Sequence, residues 1–121
     1  MNPPVPALTL AVAPGPLVGP VMRRVVGILA ARADMPVDRV DEVILMAEAI
    51  AQAASRHVVQ DRLGVTMRDD DGSLTLEFGP LDPATSGEAL ESARNGGSNR
   101  AEIRRGEGGD YVVLKVDTGS T

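Results

Sequence analysis

Leu8, Leu10 and Val12 alternate with Thr9 and Ala11, the period-two spacing of a strand that buries one face. Ala13-Pro14-Gly15-Pro16 stops it. The period then changes. Val18, Val21, Met22, Val25, Ile28 and Leu29 recur every three or four residues, predicting a helix that ends near Ala33. Pro16 or Pro20 suits its first turn, where a missing N–H costs nothing. Met35-Pro36 breaks the chain, and Asp38 or Asp41 brings negative charge to the next helix start, where the dipole favours it. This second helix is predicted to run to about His57, with Val40, Val43, Ile44, Ala47, Ile50, Ala51, Ala54 and Val58 on one wide apolar stripe.

Leu63, Val65 and Met67 alternate, Asp70-Asp71-Gly72 turns the chain, and Leu74, Leu76 and Phe78 alternate back, which predicts a β-hairpin. From Pro80 to Gly109 the chain is polar and glycine-rich, with at most one short helix near Gly87 to Ala93 that Thr85 and Glu88 would cap. The rest of this stretch is expected to be a mobile, lid-like segment. Tyr111 to Val116 reads as a last, largely buried strand, followed by a frayed tail. One domain is expected, with a core unit over residues 5–79, the polar segment over 80–109, the last strand over 110–117 and a tail over 118–121. The order strand, two helices, hairpin, loop, strand predicts an α/β (α+β) two-layer sandwich. Its mixed four-stranded sheet would be covered on one face by two long helices.

Composition narrows the function. Phe78 and Tyr111 are the only aromatic residues among 121, so aliphatic side chains must build the core, at about 1.5–3 kcal/mol for each large one buried. Two aromatics make no base-stacking platform, and a formal charge of -5 repels phosphate backbones and anionic membranes. No nucleic-acid or membrane partner is expected. The chain has no cysteine, which removes disulfides, thiolate catalysis and thiolate metal sites. Met1-Asn2-Pro3-Pro4 lacks the basic start of a signal peptide and no 18-residue apolar run follows, so a cytoplasmic location is expected.

Few residues offer chemistry. His57 has no second His or Cys to complete a metal site and falls on the opposite edge of its helix from Glu48, so it reads as a helix-end histidine. Asp69-Asp70-Asp71-Gly72 lacks the remaining ligands of a calcium loop and reads as a hairpin turn. Gly96-Gly97 and the Gly106 to Gly109 run lie between no strand and helix of the kind that cradles phosphate. Glu48 and Gln52 stand apart: four residues apart on one edge of the helix-two stripe, within reach of each other and beside Ser55.

The stretch from Pro16 to Val58, with the hairpin and Gly79-Pro80-Leu81-Asp82-Pro83 after it, resembles the anti-sigma-factor serine kinases of the GHKL (Bergerat-fold, histidine kinase-like) ATPase superfamily. That family carries a Glu-Ala-x-x-Asn box on its second helix, the Glu acting as catalytic base and the Asn holding the magnesium that bridges the ATP phosphates. The matching residues here are Glu48-Ala49-Ile50-Ala51-Gln52. The family's Asp-x-Gly-x-Gly box, whose Asp bonds adenine, matches Glu77-Phe78-Gly79-Pro80-Leu81. The resemblance thus implies a base at Glu48, a magnesium ligand at Gln52, and nucleotide contacts at Gln52, Glu77 and Gly79.

Both boxes depart from the pattern. Gln52 carries its amide about 1.5 Å further out than Asn would, against the near-ideal octahedron at about 2.0–2.1 Å that magnesium demands. Glu77 likewise shifts the adenine contact, and Leu81 puts a side chain where the family has bare backbone. The glycine-rich lid box has no counterpart in Glu88 to Arg105. Three functions follow as expectations. One is a regulator of transcription with a degraded ATP site, binding a sigma factor or an anti-anti-sigma protein and pairing as a homodimer. Another is an active ATP- and magnesium-dependent protein serine kinase. The last is a self-associating structural domain whose exposed sheet edge pairs with a second copy.

Overall fold

A computed structural model describes residues 7–70, 72–95 and 100–117. Its elements are β1 (Ala7–Val12), α1 (Val18–Arg32), α2 (Val37–Ala54), β2 (Leu63–Asp70), β3 (Ser73–Leu81), α3 (Ser86–Asn95), β4 (Glu102–Gly106) and β5 (Gly109–Asp117). The strands form one sheet in the order β1-β2-β3-β5-β4, and every neighbouring pair is antiparallel. The α+β class holds, but the expected mixed four-stranded sheet is corrected to five antiparallel strands among the described residues.

The difference lies in the polar stretch expected to be a mobile lid. It folds into α3, which spans the predicted short helix and extends beyond it, and into β4. Strand β4 is an edge strand on which only Ile103 is partly buried, so its sequence has no apolar alternation to read. Glu102, Arg104 and Arg105 are the charges that protect such an edge from pairing further. The Gly106 to Gly109 run is the tight β4–β5 turn, where Gly108 takes φ +81, a conformation open to glycine at little cost.

The helices cover one face of the sheet. Leu63, Val65 and Met67 of β2 and Leu74, Leu76 and Phe78 of β3 are all fully buried, as the alternation predicts. Val112 and Leu114 of β5 are fully buried too, but they alternate with partly buried or exposed residues where a largely buried run was expected. Register aligns them in rows: Val65 opposite Phe78 opposite Val112, and Met67 opposite Leu76 opposite Leu114. Val43, Ala47, Ile50, Ala51 and Ala54 of α2 are buried too, and the alanines among them let α2 pack closely between α1, α3 and the sheet. Strand β1 follows its predicted pattern only in part. Val12 is buried, while Leu8, at the start of this edge strand, is 43% exposed.

The α1–α2 turn has a specific cap. Asp34 sits at φ +55, its N–H donates to the Ala31 carbonyl, and the Met35 N–H reaches back to Ala30. This is the Schellman arrangement, with aspartate where glycine is usual. No helix among the described residues is long and apolar enough to cross a membrane.

Candidate functional site

Helices α1 and α2 run antiparallel, so the start of α1 meets the end of α2. Gly19 lies against Gln52 there: a Cβ on Gly19 would stand 3.4 Å from Gln52 Nε2 and 3.8 Å from Glu48 Oε2. One turn on, Arg23 Nε donates to Glu48 Oε1 at 2.8 Å. The Glu48 side chain is only 15% exposed, whereas that of Arg23 is 66% exposed. The hydrogen bond and charge of Glu48 hold the Arg23 guanidinium above the ordinary arginine range. With the folded-state value raised, Arg23 stays charged at every pH below that range. The Ser55 hydroxyl donates to the Gln52 carbonyl at 2.9 Å, closing the end of α2 rather than meeting the Gln52 amide.

These residues border an open cleft of about 950 Å³, walled by Pro14-Gly15-Pro16 and Pro20 on one side and by Glu48, Gln52 and Ser55 on the other. Arg23, Arg24 and Arg56 also line it. Sequence reading singled out none of these arginines. The Arg23–Glu48 pair spans 25 residues and forms only once the helix hairpin has its register.

Glu77 and Gly79 lie elsewhere. Leu76 and Phe78 point to the helical face, so Glu77 between them points to the opposite face of the sheet. It accepts Arg68 Nη2 at 3.0 Å from β2 and Arg104 Nε at 3.0 Å from β4, with a second contact from Arg104 Nη2. Arg104 also stacks over Tyr111, 4.6 Å from the ring centroid. Gly79 is bare because Tyr111 fills its space: a Cβ there would meet the Asp110 carbonyl and Tyr111 Cδ2, both at 2.7 Å. Leu81 is a fully buried core residue.

The structure therefore brings Glu48 and Gln52 together and leaves Glu77 and Gly79 on the other side of the sheet. The residues matched to the nucleotide boxes do not converge on one ligand. Glu48 is tied to Arg23, Gln52 offers one neutral oxygen, and Glu77 stands across the sheet bound to Arg68 and Arg104. These donors do not fit magnesium-bridged ATP. His57 is not the helix-end residue expected: α2 stops at Ala54, and His57 lies beyond it, its carbonyl accepting the Asp82 N–H at 2.8 Å. Gly72 turns the hairpin at φ +85, while Asp71, Gly96 and Gly97 lie outside the described residues. A scan against protein-family models matches none, and a search of curated proteins finds no significant match.

Proposed function

We propose that this chain is a regulatory protein-binding module of the kind its resemblance to the anti-sigma kinases implies, with a sigma factor or anti-anti-sigma protein as partner and no nucleotide chemistry of its own. One observation carries the reading. The carboxylates that match the family's two boxes are each engaged by arginine, Glu48 by Arg23 and Glu77 by Arg68 and Arg104, on different sides of the sheet. A general base needs its proton acceptor within reach of the substrate hydroxyl. Glu48 spends one of its oxygens on a guanidinium instead. The order strand, two helices and hairpin supports the likeness in architecture.

The reading is tested by thermal unfolding with and without magnesium-ATP. A ligand at a hundredfold excess over Kd stabilises the folded state by about 2.7 kcal/mol, several degrees in Tm for a domain of this size. No shift is expected. A shift of several degrees that Glu77→Ala removes would sink the reading and restore an ATP site.

A further inference from the structure

The cleft at the start of α1 holds more positive charge than its surroundings explain. Arg23, Arg24 and Arg56 line it against a single acid, Glu48, leaving two net positive charges in a chain of formal charge -5. Only Arg23 is spent. Arg24 and Arg56 are exposed, and no described residue forms an ion pair or hydrogen bond with either side chain. The first turn of α1 adds to the field, since it carries no acidic residue and no side chain caps it.

Shape and chemistry identify what fits. A volume of about 950 Å³, open to solvent, exceeds what one small anion fills and suits a length of extended chain. Pro14, Pro16 and Pro20 stiffen its rim, so little order has to be created on binding. Guanidinium groups can grip carboxylates in a planar two-point fork, and this cleft already holds one guanidinium–carboxylate pair, Arg23 Nε on Glu48 Oε1 at 2.8 Å through a single hydrogen bond. A long polyanion would meet the negative charge of the rest of the chain, whereas a short acidic segment need touch only the cleft.

We infer that this cleft is the docking site for a short Asp/Glu-rich segment of a partner protein, anchored by Arg24 and Arg56. The inference rests on the protein-binding reading above and names the chemistry of the partner. Gln52 lines the same cleft and supplies a neutral donor beside the two anchors.

Fluorescence anisotropy of the whole chain with fluorescein-labelled hexaglutamate, at about 50 mM salt so that screening is weak, tests it. Saturable binding is expected, weakened about tenfold or more in the Arg24→Ala/Arg56→Ala double variant. Arg105→Ala, which removes an exposed arginine of β4 outside the cleft, is expected to leave binding unchanged. Both anchors are exposed, so the double variant should keep the wild-type Tm. Absence of saturable binding, or equal weakening by Arg105→Ala, overturns the inference. If the peptide fails to bind while magnesium-ATP gives no thermal shift, the inference alone falls. Displacement of the peptide by magnesium-ATP makes the cleft a nucleotide site and overturns both readings.

Discussion

Replacing Gly79 by alanine separates a glycine kept bare for packing from one kept bare for a ligand. The added Cβ would sit 2.7 Å from the Asp110 carbonyl oxygen and 2.7 Å from Tyr111 Cδ2. An ordinary carbon–oxygen approach is about 3.3–3.6 Å, so something must move by roughly half an ångström or more. Asp110 belongs to β5, which is hydrogen-bonded to β3, so its carbonyl cannot shift without disturbing the sheet. Overpacking typically costs about 1–3 kcal/mol, and a clash with backbone belongs at the upper end, so a loss of about 3 kcal/mol is expected. Urea unfolding followed by circular dichroism reads it directly. Combining Gly79→Ala with Tyr111→Ala should cost less than the sum of the two, by about 1 kcal/mol, because removal of the ring relieves one of the two clashes. A loss below about 0.5 kcal/mol for Gly79→Ala, or strict additivity with Tyr111→Ala, refutes the packing account.

Two further outcomes are expected by the same assay. Asp34→Gly should stabilise the protein by about 0.5–1 kcal/mol, since glycine adopts the left-handed conformation at φ +55 without the steric cost that aspartate bears; a loss of stability would mean the Asp34 side chain itself supports the turn. Phe78→Ala should cost about 3–5 kcal/mol, because Phe78 is the largest fully buried side chain and its row continues through Val65 and Val112; a cost under about 1 kcal/mol would mean the sheet collapses to fill the space.

Much of the fold is legible where period and burial agree. The hairpin is the clearest case, because one face of each strand is apolar at every second position and the other is not. Strand β4 is illegible for the converse reason. An exposed edge strand has no buried face to impose a period, and its five residues read as loop. The end of α2 shows a third situation. Its apolar stripe continues to Val58, yet the helix stops at Ala54. The backbone beyond is claimed by β3 and its continuation: the Val59 N–H donates to the Pro80 carbonyl, Val58 bridges Leu81, and the His57 carbonyl accepts Asp82.

The candidate site divides along the same line. That Glu48 and Gln52 share a helix edge follows from the four-residue spacing alone, and that Glu77 faces away from the core follows from Leu76 and Phe78 on either side of it. What those carboxylates meet was decided by tertiary structure. Arg23 reaches Glu48 through the register of the α1–α2 hairpin, and Arg68 and Arg104 reach Glu77 through the pairing of β2, β3, β5 and β4. Periodicity along a chain specifies which way a side chain points, but partners distant in sequence are specified only by how packed elements align.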